Sequence, residues 1–192
     1  MNTCLNSLAA VKPQYESEED YRHAHNVAIL ARELSRNLGD TIATQNLIYT
    51  AGLFHDIGKQ DLDQRILNKP GKLSAEQRKH IQLHVEYGVK RVLEAIKKLD
   101  PLEHIKLILY MFMHHENFDG TGYPTGEKGI QIPYGARIIR ICDAFDAICS
   151  ERVYKPARSA EEAIKEMRNE IYFYDPQIFH EFEKMIRYNS SI

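Results

Sequence analysis

Two stretches of this chain put metal-ligating side chains next to each other where an apolar run ends: His55 and Asp56 in "LFHDIGK", and His114 and His115 in "HHENFDGTGYPTG". A buried, ionised aspartate is costly unless a cation or a metal offsets it, so the HD step on an apolar helix says more than either residue alone. Lys59 adds an ammonium to the same terminus. Glu19 and His23 stand four residues apart, on a helix face that continues through Val27 and Leu30, and both are expected to point inward. Taken alone, that pair also reads as a histidine with a hydrogen-bonded carboxylate partner. His84 precedes Gly88 by one turn, where the missing side chain lets another helix approach, whereas His80 reads as solvent-facing. Asp143 and Asp146 lie in the apolar "RIICDAFDAICS" and need partners.

Summed, five parts of the chain each send nitrogen or oxygen ligands inward: Glu19, His23, His55, Asp56, His84, His114, His115 and Asp143. That set exceeds the needs of one ion. Helix bundles build two-metal sites in this way, with carboxylates bridging the ions and imidazoles at the outer positions. Nitrogen and oxygen ligands without thiolate suit iron, manganese or similar divalent ions better than a cysteine-rich zinc site.

The elements that must position these residues read as all-α. Residues 18–38 carry Val27, Leu30, Ala31, Leu34 and Leu38 at helical spacing and stop at Gly39. A nearly all-apolar helix follows over 44–57. Ser74 and Gln77 form a capping box that opens a long helix to about Leu99, ended by Asp100-Pro101. Further helices are predicted over 102–115, 133–150, 159–171 and 176–187, giving about seven to eight in all. No segment alternates with period two.

Composition bounds what such a bundle does. The 192 residues suit one domain, with residues 1–18 as a short polar leader and 19–192 as the functional unit. A net charge of −2 argues against a nucleic-acid polymer as partner. The amino terminus has no signal-peptide pattern, and the longest apolar runs, such as "IKLILYMFM", are too short to span a bilayer, so a cytoplasmic protein without membrane insertion is expected. Cys4, Cys142 and Cys149 lack metal or redox spacing and read as reduced, structural thiols.

The motifs "HDIGK", "KPGKL", "HHENFDGTGYPTG", "IPYGARI" and "DAFDAICSERVYK" occur in the order and spacing of the HD-GYP family, and the likeness covers the chain from about Glu19 to Phe182. The chain thus resembles a family within the HD superfamily of metal-dependent phosphohydrolases, whose members linearise cyclic di-GMP to pGpG and often continue to GMP. The resemblance implies an HD-type helical bundle holding two or three divalent ions. It assigns His23, His55, Asp56, His84, His114, His115 and Asp143 as metal ligands, with Glu19 as the additional ligand of members that hold three ions.

The same resemblance implies that Lys59, Arg152 and Lys155 face the substrate phosphates and that Gly122, Tyr123 and Pro124 form the GYP signature. Tyr123 then stacks on a base or serves a contact with an adjacent protein. The implied chemistry is in-line attack of a metal-activated water on phosphorus, with a ribose 3′ oxygen leaving and Lys59 offsetting phosphate charge or helping to protonate that oxygen. Arg137 reads equally as a brace for the loop or as a ligand contact. Val153 in "SERVYK" and the polar "QDLDQRIL" after Lys59 depart from the family pattern, which opens substrate choice to a mixed cyclic GMP-AMP dinucleotide or another nucleotide. A competing reading from another class is a receptor that binds cyclic di-GMP without turnover and signals through the GYP surface to a GGDEF-type protein.

Overall fold

The computed structural model describes residues 13, 15, 17–95, 101–150 and 157–189. Arg152, Lys155 and Cys4 lie outside them, as does most of the expected leader. Among the described residues there is no strand; nine α-helices follow one another, one of them a single turn. They are α1 Glu18–Asn37, α2 Ile42–Phe54, α3 Gln64–Leu67, α4 Ala75–Gln82, α5 His84–Ala95, α6 Pro101–Phe112, α7 Tyr134–Cys149, α8 Ala160–Asn169 and α9 Pro176–Asn189. Three 3-10 turns, Ile57–Asp61, Gly129–Gln131 and Ile171–Phe173, connect them.

The start signals work as expected. Ser17 caps α1 by accepting from the Asp20 amide, and Ser74 and Ser159 open α4 and α8 with complete capping boxes. Helices α1, α2 and α7 pack together around Val27, Ala31, Leu34, Ile48, Phe54, Ile138, Ile139 and Cys142, and α9 closes the same core with Phe179 and Phe182. None of the described helices is long and apolar enough to cross a membrane.

One expected element differs. The long helix after Ser74 is two helices, broken at Leu83. The Leu83 amide bonds to His80 O in a tight i−3 turn, and the Nδ1 of His84 lies 2.8 Å from Ile81 O, a carbonyl that an unbroken helix would give to the backbone. The break turns His84 into the bundle. It also brings α5 against the Ile57–Asp61 turn, so closely that a Cβ on Gly58 would stand 2.0 Å from His84 O and 2.4 Å from the Gly88 amide. Gly88 itself has ordinary clearance, so the glycine that this approach demands is Gly58.

His80 is also not simply solvent-facing: it is half-buried, and its Nε2 accepts the Asp63 amide at 3.2 Å. Arg137 braces the bundle through Ile132 O and the Asp175 carboxylate, which itself caps the start of α9.

Candidate metal centre

His55, His84 and His114 each sit just past the end of a helix, where the last carbonyls have no helical partner. Each ring fills that gap in the same way. Nδ1 lies 2.6 Å from Gly52 O in His55, 2.8 Å from Ile81 O in His84 and 2.6 Å from Met111 O in His114. A carbonyl only accepts, so each Nδ1 carries the hydrogen and each Nε2 is left with a lone pair, unless the ring is fully protonated. All three Nε2 atoms are buried and without a hydrogen-bond partner among the described residues, and so is Asp56 Oδ1.

These acceptors face one another. Asp56 Oδ1 is 3.3 Å from His84 Nε2 and 3.9 Å from His114 Nε2, while its Oδ2 is 3.3 Å from His55 Nε2 and 3.8 Å from His23 Nε2. Lone pairs so arranged in a dry interior repel unless positive charge lies among them. The donor set therefore fits a bound cation on its own chemistry.

The ligand atoms separate into two groups, each within 4.8 Å internally: Asp56, His84, His114 and His115 in one, and His23, His55 and Asp143 in the other. Asp56 reaches both, through one oxygen each. Asp143 belongs to the second group, with Oδ1 3.1 Å from His23 Nε2, and its Oδ2 reaches toward the other group, 3.9 Å from His115 Nδ1.

His23 is held from behind by a carboxylate rather than a carbonyl. Its Nδ1 lies 2.6 Å from Asp146 Oδ2, and Asp146 in turn accepts from Asn26 at 3.0 Å and from the Ser150 hydroxyl at 3.1 Å. Asp146 was singled out in the sequence only as a carboxylate needing a partner, and Asn26 not at all. The signal for Asn26 was its place one turn beyond His23 on the same face of α1.

The electrostatics divide in the same way. Burial alone would lower the pKa of His23, but Asp143 and Asp146 outweigh it and raise it to about 9. Burial pushes His114 down to about 3, helped by the neighbouring His55 and His84, and it depresses His84 and His115 as well. Burial opposes ionisation of Asp56 and Asp143, yet both sit well below the usual carboxylate range; Lys59 and His55 hold Asp56 down, and His23 does so for Asp143. The Lys59 ammonium lies 2.5 Å from Asp56 Oδ2.

Glu19 does not point inward as expected. It is exposed and belongs to neither group, although His23 is half-buried and central. Four residues along α1 keep the two on one face but place Glu19 about 6 Å nearer the N-terminal end of the helix, where it is exposed.

The turn after His115 covers one side of the centre. Gly122 lies so close beneath that a Cβ there would stand 2.5 Å from His115 O and 2.3 Å from the Asn117 amide. The Tyr123 ring stacks on His115 with centroids 4.7 Å apart and meets His84 edge-on at 6.4 Å. Pro124 follows at the exposed rim. Glu116, which the sequence reading passed over, is buried and accepts hydrogen bonds from Thr125 N, Thr125 Oγ1 and Gly126 N.

Comparison with known proteins bears on the family and the fold. Over 177 residues the chain is 36% identical to a cyclic di-GMP phosphodiesterase of Pseudomonas aeruginosa, covering 89% of this chain and 41% of that protein. It is 34% identical to a 3'3'-cGAMP-specific phosphodiesterase of Vibrio cholerae, covering 85% of this chain and 35% of the relative. The chain thus spans less than half the length of these two relatives. Its fold matches the crystal structure of a cyclic GMP-AMP-specific phosphodiesterase of V. cholerae with a TM-score of 0.65 at 16% identity, over 95% of this chain and 48% of the other. The HD domain profile matches residues 3–178, nearly the whole sequence, and the chain belongs to the HD domain family.

Proposed function

We propose that this chain is a metal-dependent phosphodiesterase that hydrolyses cyclic di-GMP to pGpG, and onward to GMP, in the cytoplasm. The observation that carries the reading is the pair of ligand groups joined by Asp56, with the buried Nε2 atoms of His55, His84 and His114 turned toward its carboxylate and without a hydrogen-bond partner among the described residues. Iron or manganese suits the nitrogen and oxygen donors.

His23, His55 and Asp143 would hold one ion, His84, His114 and His115 the other, and Asp56 would bridge them. Ions so held supply Lewis acidity and lower the pKa of water, the chemistry that in-line cleavage of a phosphodiester uses. Glu19 is the residue that would complete a third position.

Lys59 would turn its ammonium from Asp56 toward a phosphate oxygen or the leaving ribose oxygen. Arg152 and Lys155 are assigned to the remaining phosphate charge by the HD-GYP motif alone. A GGDEF-type partner would meet the exposed rim of the GYP turn at Pro124, Thr125 and Gly126.

A second substrate is favoured by one specific observation: relatives named as 3'3'-cGAMP-specific phosphodiesterases match almost as well as those named for cyclic di-GMP. The test is an anaerobic assay of metal-analysed protein with cyclic di-GMP and cyclic GMP-AMP side by side, with the products separated by chromatography. Formation of pGpG is expected. Nucleotide binding with no product, in both the iron and the manganese forms, would establish the receptor reading instead.

A further inference from the structure

Four of the five histidines in the centre have their rings anchored by a hydrogen bond at Nδ1: three to carbonyls of a preceding helix turn and His23 to Asp146. His115 has no such bond among the described residues. Its ring is instead held among rings: His114 lies against it with centroids 3.9 Å apart, His84 meets it edge-on at 5.1 Å, and Tyr123 lies over it at an interplanar angle of 26°. One face of Tyr123 is therefore already occupied, and the ring is half-buried between His115 and His84. A ring so placed is poorly exposed for a nucleobase or for another protein.

The turn that carries Tyr123 is fastened on both sides of the ring. Before it, the Tyr123 amide donates to His115 O at 3.3 Å, and the lack of a side chain at Gly122 permits that approach. After it, the Glu116 carboxylate draws the chain back, accepting Thr125 N at 2.6 Å, Thr125 Oγ1 at 2.8 Å and Gly126 N at 3.1 Å. Glu116 is only 1% exposed, and its three donors all lie on the far side of Tyr123 in sequence. The residue next to His115 thus closes a short loop whose Tyr123 side chain returns to His115 itself.

We propose that Tyr123 and Glu116 are positioning residues for His115: the stacked ring sets the imidazole's orientation, and the carboxylate clamp holds that ring in place. Outer contacts that orient ligating imidazoles commonly change metal affinity by about 10–100-fold, and here an aromatic stack supplies that contact. The proposal rests on reading the cluster as a two-ion centre, and its test separates the two ideas because it needs no nucleotide.

Metal-free protein is titrated anaerobically with manganese(II) alone, and bound ions per chain are counted after gel filtration. The unmodified chain is expected to hold two. Tyr123→Leu and Glu116→Ala are expected to weaken one of the two ions by about 10–100-fold and leave the other unchanged. Tyr123→Phe, which keeps the ring, is expected to restore the second ion. Thr125→Val, at an exposed position where the fold is not at stake, removes one hydrogen bond to Glu116 and is expected to shift the same ion by a few-fold.

Two tight ions in both Tyr123→Leu and Glu116→Ala would overturn the proposal. A raised KM for cyclic di-GMP with both ions retained would overturn it in favour of base stacking, and loss of the second ion from Tyr123→Phe would show that the hydroxyl acts rather than the ring. Should the larger substitutions unfold the chain by circular dichroism, an unshifted Thr125→Val overturns the clamp. An unmodified chain that binds fewer than two ions overturns both this proposal and the two-ion reading, whereas two ions without hydrolysis removes only the phosphodiesterase assignment.

Discussion

His23 and His55 face one oxygen of Asp56 with Asp143 beside them, and His84 and His114 face the other with His115 beside them, yet the two trios meet the cost of burying polar atoms by opposite means. The first is rich in carboxylate: Asp143 faces His23 from the front at 3.1 Å and Asp146 from behind at 2.6 Å, and the ring holds its proton up to about pH 9. A protonated His23 stands in for a cation there. The second trio shares its carboxylates, Asp56 at 3.3 Å from His84 and Asp143 at 3.9 Å from His115, and burial drives His84, His114 and His115 toward their neutral forms. Its lone pairs are left facing Asp56. The lesson is that a cation entering the first trio must displace a proton, while one entering the second meets imidazoles already deprotonated and ready to ligate.

The shared aspartate is where this comparison breaks most severely. Asp56→Ala is expected to abolish turnover and to loosen both ions, because each trio loses its bridging oxygen, while circular dichroism stays that of the folded chain. Ion counting beside a cyclic di-GMP assay checks it. Retention of one tight ion would mean that one trio stands alone without the bridge, and unchanged turnover in metal-loaded protein would remove Asp56 from the chemistry.

A smaller change should touch one trio only. Asp146→Asn replaces the carboxylate behind His23 by an amide, and weakening of the first trio's ion by about 10–100-fold is expected. Chelator release followed over time should show one phase accelerated and the other unmoved. Acceleration of both phases would mean that the trios are not separable through their outer contacts.

Which parts of this were readable beforehand follows from how local each signal is. The positions of α1, α2, α7 and α9, and the HD pair at the end of an apolar run, are written in spacing and capping within a few residues. The break at Leu83 was not, because it depends on a side chain, His84 Nδ1, taking the carbonyl of Ile81. Glu19 was misplaced for a related reason: helical spacing fixes the face a residue shares but not how far along the axis the packed body extends. Asp146, Asn26 and Glu116 act through partners distant along the chain or across a turn. His23 and Asp146 are 123 residues apart, and no short pattern encodes that meeting.

The subtlest expected difference is in how ion-free stability depends on pH. His23 has an ordinary value of 6.5 and a folded value of about 9, so between these the folded chain keeps a proton that the unfolded chain has released. Its stabilisation is complete below pH 6.5 and is lost as pH rises through about 9. His114 runs the other way: its folded value of about 3 lies below 6.5, so its neutral ring favours folding above pH 6.5 and that advantage is lost as pH falls toward 3. His84 and His115 add to the same acid limb, and Asp56 and Asp143, both depressed, extend it below the carboxylate range. Each such proton contributes a slope of up to about 1.4 kcal/mol per pH unit. Urea midpoints of the metal-free chain should therefore fall on both sides of neutrality. His23→Gln should flatten the alkaline limb and spare the acid one, and His114→Gln should soften only the acid limb. If either substitution flattens both limbs, the two trios titrate as one unit and the division at Asp56 has no electrostatic meaning.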